Sequence, residues 1–473
     1  MDPFARALDD APLSKFHRRA VVISGVGFFT DAYDLFVIST VAALVASQWG
    51  LSTTQKSWVT GAAILGAFVG ALVFGRLADI VGRKKVYALV AAIMIVGAVA
   101  SACAPDFLFL VVSRFVLGLG IGGDYPVSAV LMSEYSNRAD RGRLVGLVFS
   151  MQALGLVVGP LVALGLVESG VGHQVTWRLL LGLGALPAAG VVYLRSRMPE
   201  SPRFEVIRGG DQRALARDLA RFSDGVVDIE SSIGANVRPV RVSAPRPSLL
   251  SLVTDRRLLR LLIGTAGSWF VFDYAYYGNT LSLPAILKSV DPTGGLVANL
   301  VWSLVMFVAF AVPGYMLAVW RMDRIGHRRL QFIGFGVMAF AFALLAAIPA
   351  LTSSVGAFVA VFGLSYFFVE FGPNTTTFVL PSEVFPGSAR TTGHGIAAGI
   401  GKLGAFVGVF LVPQLELSVG LRGMVGIAAV FSIAGIALTS LLPEPARRGL
   451  EEISGEVEAQ EHEPAPRVLA SVG

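Results

Sequence analysis

Long apolar runs alternate with short polar connections along almost the whole chain. Twelve of these runs approach or exceed the roughly 20 residues that a helix needs to cross a bilayer. They lie at residues 19–47, 58–80, 86–104, 107–133, 143–167, 177–197, 258–289, 297–320, 330–350, 355–380, 391–415 and 420–442. This pattern predicts twelve transmembrane helices and therefore an all-α, polytopic membrane protein.

One polar stretch is much longer than the others and separates the apolar runs into two sets of six. We therefore predict an N-terminal six-helix half at 1–197, a central loop at 198–257, a C-terminal six-helix half at 258–443 and a tail at 444–473. The tail is acidic and contains proline, a composition typical of disordered chain, so we expect it to be disordered.

Composition agrees with a membrane protein and argues against other classes. Of the 473 residues, 54% are hydrophobic and only 15% are charged, whereas a soluble domain has about 25% charged residues. The net charge of +6 reflects basic residues in short loops beside the apolar runs, so we expect no nucleic-acid binding. No P-loop motif for nucleotide phosphates occurs in the sequence. We expect neither an enzyme nor a bound cofactor or metal.

Basic residues are distributed unevenly among the loops, and this asymmetry predicts the orientation in the membrane. Clusters of arginine and lysine follow the second, fourth and eighth apolar runs, and Arg390 follows the tenth, whereas the alternate loops carry little more than Lys56, Lys288 and Arg422. Because positively charged loops stay in the cytoplasm, we predict that both termini, the central loop and the tail are cytoplasmic.

The two halves repeat each other. The sequence DIVGRK at 79–84, after the second run, corresponds to DRIGHR at 323–328, after the eighth. Both copies fall at the same cytoplasmic level. Parallel repeats related by an axis along the membrane normal characterise one large class of secondary transporters.

Charged residues at the cytoplasmic ends of the runs are expected to act as gates or to balance charge. Asp79 and Arg83 lie one helical turn apart, so they can pair and lock helix ends together. Glu134 and Glu383 occupy equivalent positions in the two halves. We expect both to be partners for arginines of the loops, of which Arg390 is one.

Ionisable groups also lie deep inside the runs, where a charge costs about 2.5–3.5 kcal/mol on insertion scales. Asp31 and Asp34 share one helix face in the first run, and two carboxylates facing a cavity can hold a proton. Arg114 and Asp124, ten residues apart in the fourth run, are separated by about 15 Å along a straight helix. Arg114 is therefore expected to pair with Asp31 or Asp34 of the neighbouring first run.

Asp124 belongs to a stretch that weakens its helix. The glycine-rich sequence GLGIGG at 118–123 lets a neighbouring helix or a ligand approach, and Pro126 removes a backbone donor. A carboxyl and the phenol of Tyr125 therefore coincide with an opened backbone near the middle of the membrane. The alternative is a kinked helix in which Asp124 is only hydrogen-bonded to a neighbour.

The seventh run carries Trp269, Asp273 and Tyr277 at four-residue intervals, which places them along a single helix face. Asp273 and Asp31 occupy equivalent places in the repeat. Further polar residues within the fifth, tenth and eleventh runs are Gln152, Glu370, Asn374 and Lys402. Proton-capable groups around a polar cavity are what proton-coupled uptake requires, although an amide such as Gln152 also commonly joins helices.

Two motifs resemble those of the major facilitator superfamily. The sequence GRLADIVGRK at 75–84 resembles its best-known loop motif, and PESPRF at 199–204 resembles the end of the sixth helix in its sugar-porter and phosphate-porter branches. Three more specific elements, GFFTDAYDLF at 27–36, GIGGDYPVS at 120–128 and FGPNTTTF at 371–378, resemble the phosphate:proton symporter family of plants and fungi. The likeness extends over all twelve runs.

This resemblance implies a major facilitator fold and the import of inorganic phosphate with protons by alternating access. For this chain it implies a bacterial-type member in the plasma membrane, that is, the bacterial inner membrane. It implies a central phosphate site made by Tyr125, Gln152, Trp269, Asp273, Tyr277 and Asn374. It further implies proton coupling by Asp31, Asp34 and Asp124, with Arg114 near Asp124 as a charge partner, and a gating or charge-balancing role for Lys402.

Differences from the family leave the substrate open. The central loop is short, and GNT at 278–280 stands where the family often has Ser-Gln-Asn. A proton-coupled carrier of an organic anion or a sugar is the nearest alternative function. A phosphate sensor that binds without transport is a third, although the polar central loop is short for a signalling module.

Overall fold

A computed structural model describes residues 8–196, 198–201, 203–205, 217, 220 and 249–456 of the protein. All regular secondary structure assigned within these residues is helical. By length and apolar composition, ten helices in the described part of the chain are long enough to cross a membrane.

The N-terminal half contains six of these spanning helices. They are α1 (Lys15–Trp49), α2 (Thr53–Val81), α3 (Arg83–Ala102), α4 (Phe107–Tyr135), α5 (Arg141–Glu168) and α6 (His173–Arg195). Two of them are interrupted once: α5 at Met151 and α6 at Gly184.

Within the described residues, the C-terminal half contains six long helices. The other four of the ten spans lie among them, because the first of the six is not counted and the last two count as one. The six are α7 (Arg256–Leu281), α8 (Leu296–Ile325), α9 (His327–Ala347), α10 (Val355–Val384), α11 (390–419) and α12 (421–439). The last two follow each other directly within Arg390–Thr439, and Gly420 separates them with a φ of +70°. A residue with a Cβ adopts this conformation only with strain. With α7, whose many polar residues keep it outside the apolar set, these helices correspond to the twelve predicted runs.

Close helix packing holds the N-terminal half together. The contact between α2 and α4 is among the most extensive in the protein. It depends on small residues, because a Cβ added at Gly122 of α4 would lie 2.0 Å from the backbone oxygen of Ala67. The glycines before Asp124 therefore do what the sequence predicted: they bring a neighbouring helix against α4.

Two helices of the C-terminal half change geometry at mid-length. The segments Phe307–Ala311 of α8 and Glu370–Asn374 of α10 are π-helical. In α10 the departure is pronounced, since Gly372 has φ −115° and ψ −105° and Pro373 cannot donate a backbone hydrogen bond. Such π-helical turns commonly lie at functional sites.

Part of the predicted disordered tail is ordered, so that prediction was wrong for residues 444–456. Leu450–Ser454 forms a short helix whose Leu450 and Ile453 side chains are buried. Glu451 pairs with Arg203 of the central segment. Burial alone would raise the pKa of Glu451, but Arg203 and Arg390 lower it to about 2. Residues 457–473 and most of the central loop lie outside the described residues.

Candidate functional site

The six residues expected to contact substrate lie together between the two halves. All six are at most 3% exposed. The N-terminal half contributes two of them and the C-terminal half four: Tyr125, Gln152, Trp269, Asp273, Tyr277 and Asn374. Buried polar side chains from five helices, counting Lys402 of α11, therefore meet in one place.

The hydroxyl of Tyr125 joins the two halves. Gln152 Nε2 donates to Tyr125 Oη over 3.1 Å, and Tyr277 Oη of the C-terminal half lies 3.5 Å from the same oxygen. The ring of Trp269 packs against Tyr125 with 6.2 Å between centroids. Tyr125 thus contacts residues of both halves through its polar tip and its ring.

Lys402 lies in the same cluster. Its Nζ is 3.0 Å from Asp273 Oδ2 and donates to Tyr277 Oη over 3.0 Å. The ammonium also lies 4.6 Å from the centroid of the Tyr125 ring, a cation–π distance. Among the described residues, Asp273 Oδ1 has no hydrogen-bond partner. One positive and one negative group therefore stand side by side at the centre of the site, with donor and acceptor capacity left over.

Two residues without an assigned role extend this network. Tyr315 of α8 donates to Gln152 Oε1 over 3.4 Å, and Asn374 Nδ2 donates to Tyr315 Oη over 2.8 Å and to Glu370 Oε2. Tyr315 carried no usable sequence signal, because a tyrosine in an apolar run more often packs or lies at an interface. Glu370 did carry one, as an ionisable residue deep within a run.

Aromatic side chains from opposite halves also pack against each other near the site. Phe149 stacks on Phe378 at 4.5 Å between centroids. Phe36 stacks on Tyr277 at 5.7 Å and lies 6.4 Å from Phe307. Ring contacts between the halves therefore accompany the polar cluster.

Asp124 has a partner that the sequence did not predict. Arg195 of α6 places Nη1 at 2.7 Å from Asp124 Oδ1 and Nη2 at 2.9 Å from Oδ2. The guanidinium also lies 3.8 Å from the centroid of the Tyr87 ring. In the sequence, Arg195 lies near the end of an apolar run, where a basic residue is ordinarily explained by the positive-inside rule. Its position inside the run 177–197 was the signal that could have identified it.

Arg114 does not pair with Asp124, so the pairing implied by the resemblance was wrong. Arg114 Nη1 lies 4.0 Å from Asp34 Oδ1, and Nη2 donates to the backbone oxygen of Asp34 over 2.9 Å. The helical rise separates Arg114 from Asp124, as predicted, and α1 supplies the acid instead.

Asp31 is the buried carboxyl of α1 that has no ion pair among the described residues. It is 0% exposed, and neither carboxylate oxygen has a hydrogen-bond partner within that part of the chain. The charged groups that act on it are Asp124, Arg195, Asp34 and Lys402. Asp31 is therefore influenced electrostatically both by the Asp124–Arg195 pair and by Lys402 of the central cluster.

A network of charged groups joins the halves at the predicted cytoplasmic end. Asp79 and Arg83 pair at 3.1 Å, as expected. Glu134 accepts from Arg83 at 3.4 Å and from Arg390 of the opposite half at 3.3 Å. Asp79 Oδ2 also accepts from the backbone N–H of Thr392 over 2.7 Å. The expected arginine partners of Glu134 are confirmed, and one of them crosses between halves.

Glu383 behaves differently from its repeat equivalent, and the expectation that it pairs with a loop arginine was wrong. Its Oε2 lies 2.9 Å from Nδ1 of His327, and the other ring nitrogen of His327 lies 3.2 Å from Asp323. The reason is the sequence of the second repeat, which has His327 where the first has Arg83. Arg390 is meanwhile engaged by Glu134.

Comparison with protein families and individual proteins gives consistent results. The family model described as "Sugar (and other) transporter" matches residues 20–456. The probable inorganic phosphate transporter 1-6 of Arabidopsis thaliana is 36% identical over 503 residues, covering 96% of both chains. The low affinity inorganic phosphate transporter 5 of Petunia hybrida is 37% identical, covering 96% of this chain and 94% of its own.

Solved structures resemble the fold at lower identity. The proton:xylose symporter XylE, of the major facilitator superfamily, superposes with a TM-score of 0.77 at 18% identity, covering 93% of this chain and 99% of its own. The human organic anion transporter MFSD10 superposes with a TM-score of 0.65 at 14% identity, covering 89% and 99%. At these identities the likeness concerns the fold alone.

Proposed function

Because the chain belongs to the sugar (and other) transporter family and has the major facilitator fold, we propose that it imports inorganic phosphate together with protons by alternating access. Its relatives of 36–37% identity bear the names of inorganic phosphate transporters. It is a membrane transporter and not an enzyme.

The observation that carries the proposal is the buried ammonium of Lys402 between a carboxylate and two phenols. Its contacts are Asp273, Tyr277 and the ring of Tyr125. A buried positive charge surrounded by hydroxyl and amide donors suits a small anion with several oxygens. In the absence of substrate, Asp273 neutralises the lysine.

Inorganic phosphate matches this set of groups. The monobasic ion carries one negative charge and has both acceptor oxygens and hydroxyl donors. Tyr125, Gln152, Trp269 and Asn374 supply donors to its oxygens. Asp273 accepts from a phosphate hydroxyl when ionised and donates to an oxygen when protonated. Asp273 can therefore hydrogen-bond to phosphate in both its ionised and its protonated form.

Coupling to protons follows from the competition for Lys402. An anion and an ionised Asp273 repel each other, and both are attracted to the same ammonium. A proton on Asp273 removes the repulsion and frees the lysine, so proton binding and anion binding favour each other. This reciprocity is the thermodynamic basis of symport.

The carboxyls of the N-terminal half are proposed to carry protons towards and away from this site. Asp31 is the main candidate, since it lacks an ion pair among the described residues. Asp34 and Asp124 are held by Arg114 and Arg195. Release of either pair during the cycle would create a further group able to bind a proton.

Asp79, Arg83, Glu134 and Arg390 are proposed to form the cytoplasmic gate, and Glu383 with His327 to support it. We place the protein in a bacterial inner membrane with both termini, the central loop and the tail in the cytoplasm. The orientation rests on the basic loops. The six-helix halves 1–197 and 258–443 are proposed to rock against each other around the central site.

A proton-coupled carrier of an organic anion or sugar remains the second candidate, because the matched family model and the superposed symporter concern sugars and other solutes. Two observations favour phosphate. The amides of the predicted site are only Gln152 and Asn374, fewer than a sugar with many hydroxyls would use. Arg114 and Arg195 pair with carboxylates outside the predicted substrate site, so that site has no arginine available for an organic acid.

The test is uptake of radiolabelled phosphate into proteoliposomes containing the purified protein, with and without an inward proton gradient. We expect accumulation only with the gradient, abolished by a protonophore and undiminished by excess xylose or acetate. Binding without any uptake would identify a sensor instead. Accumulation of labelled xylose or acetate, with no phosphate accumulation, would identify another carrier of the same fold.

A further inference from the structure

A buried carboxyl of the C-terminal half has no role in the mechanism proposed above. Glu370 begins the π-helical segment Glu370–Asn374 of α10 and is 0% exposed. Within the described residues its Oε1 has no hydrogen-bond partner. The side chains that act on it there are all uncharged ones: Asn374, Tyr315 and Tyr276.

Three phenols and an amide surround this carboxyl. Asn374 Nδ2 donates to Oε2. Tyr276 of α7, Tyr315 of α8 and Tyr366 of α10 are the titratable groups that face it. The hydroxyl of Tyr276, like Glu370 Oε1, is buried without a hydrogen-bond partner among the described residues. Two neighbouring polar groups therefore both have capacity to spare.

Protonation of Glu370 would give its unpaired oxygen a hydrogen-bond partner. An isolated ionised carboxylate is very costly in a low-dielectric interior, so such a group binds a proton readily. The protonated acid has one O–H donor, and the hydroxyl of Tyr276, which can also donate to the ionised form, can accept from it. Oε2 continues to accept from Asn374. Every polar atom of the carboxyl then has a partner.

Asn374 links this carboxyl to the proposed phosphate site. The amide that donates to Glu370 also donates to Tyr315 Oη over 2.8 Å, and Tyr315 reaches Gln152 over 3.4 Å. An anion that takes a hydrogen of the Asn374 amide withdraws a donor from Glu370 and brings a negative charge near it. Both effects favour the protonated acid over the carboxylate.

The backbone around Glu370 is suited to such a change. The π-helical turn and the irregular φ and ψ of Gly372 leave α10 without a regular hydrogen-bond ladder at this level. Asn374 follows Glu370 by four residues on the same interrupted turn. Any rearrangement of this segment would therefore involve both the acid and the amide.

We propose that Glu370 binds a proton of the transport cycle in the C-terminal half and that phosphate at Asn374 strengthens this binding. The proposal rests on the proposed function, since it needs phosphate at the central site. Only an O–H bond forms and breaks: the proton comes from water on the side where phosphate enters and returns to water on the other side. By reciprocity, the proton on Glu370 strengthens phosphate binding equally.

The experiment measures protons taken up per phosphate bound by the purified full-length protein. Phosphate is titrated by calorimetry in pairs of buffers that differ in ionisation enthalpy, across a pH series. The variants are Glu370→Gln, Glu370→Asp and, as a matched control, Glu168→Gln at the exposed end of α5. We expect Glu370→Gln to bind phosphate with a shortfall approaching about one proton at the most sensitive pH.

Glu370→Asp should restore the missing proton, and Glu168→Gln should match the wild type throughout. The proposal is overturned if Glu370→Gln takes up as many protons as the wild type at every pH. A wild-type protein that binds no phosphate would refute the proposed function instead, and a second measurement then still tests Glu370.

That second measurement is infrared spectroscopy of wild-type protein containing 13C-labelled glutamate. A protonated glutamic acid carbonyl band that shifts with the label is expected near neutral pH. Tyr276→Phe, which keeps the carboxyl but removes its neighbouring hydroxyl, should move this band towards the frequency of a free acid. Absence of a labelled carbonyl band in the wild type would overturn the proposal without any variant at Glu370.

Discussion

Lys402 and Asp273 form a buried ion pair, with 3.0 Å between Nζ and Oδ2, at the centre of the protein. They are 129 residues apart in the chain and meet because α7 packs along α11. Each residue is at most 2% exposed. A buried charge whose partner is removed is strongly destabilising, so an anion that displaces Asp273 from Lys402 must itself neutralise the lysine.

Lys402→Gln is expected to weaken phosphate binding by about ten- to one-hundred-fold, since a hydrogen bond to a charged group contributes about 1.5–3 kcal/mol. Asp273→Asn is expected to abolish concentrative uptake, because the amide cannot gain or lose a proton. Proton binding then no longer controls whether Lys402 is free to bind the anion. Phosphate titration of both variants, with uptake in proteoliposomes, checks these outcomes. Unchanged affinity in Lys402→Gln would remove the lysine from the site.

Asp31→Asn is expected to separate exchange from accumulation. The side chain has no ion pair among the described residues, so the amide should be accommodated and phosphate should still bind. Counterflow of labelled against unlabelled phosphate should survive, while proton-driven accumulation should be lost. A variant that no longer binds phosphate would show that Asp31 belongs to the substrate site instead.

The Asp124–Arg195 pair predicts a characteristic double-variant result. Asp124→Asn leaves Arg195 buried without its carboxylate, which should reduce stability by about 3–5 kcal/mol. Adding Arg195→Gln should recover much of that loss, because no charge then remains unpaired. Thermal unfolding in detergent measures both effects. Equal stabilities of the single and double variants would mean that another group neutralises Arg195.

Breaking the link between halves at Glu134 should open the cytoplasmic side. Ser382 is fully buried, and its backbone oxygen accepts a hydrogen bond from Ser133 of the other half over 3.0 Å. A cysteine at this position would therefore report whether the contact between the halves opens. After replacement of Cys103 by serine, Ser382→Cys should react faster with a maleimide when Arg390→Gln is present. A surface change, Arg422→Gln, should leave the rate unaltered. No acceleration by Arg390→Gln would argue against the proposed gate.

The Glu451–Arg203 pair should make stability depend on pH in acid. The folded pKa of Glu451 is about 2, below its ordinary value of 4.5, so its contribution is complete above that ordinary value. The contribution falls as the pH drops from 4.5 towards 2. The melting temperature of wild type should therefore exceed that of Glu451→Gln at neutral pH, with a difference that shrinks in acid. A constant difference would contradict this linkage.

Local regularities in the sequence predicted most of the architecture. The twelve apolar runs, the central polar stretch and the repeated cytoplasmic motif each depend on residues close in the chain, and periodicity reports them directly. The i, i+4 pairing of Asp79 with Arg83 is local in the same way. The separation of Arg114 from Asp124 followed from the helical rise alone.

The partners of the buried charges were decided by tertiary structure. Asp124 meets Arg195 from 71 residues away and Glu134 meets Arg390 from 256 residues away, and no spacing rule reaches across such distances. Helix packing determines these pairs. A buried charge is costly unless it has an opposite charge or hydrogen-bond partners, and the packing decides which such groups lie next to it. The order of residues 444–456 has the same origin, since Leu450 and Ile453 lose contact with water only against the folded bundle.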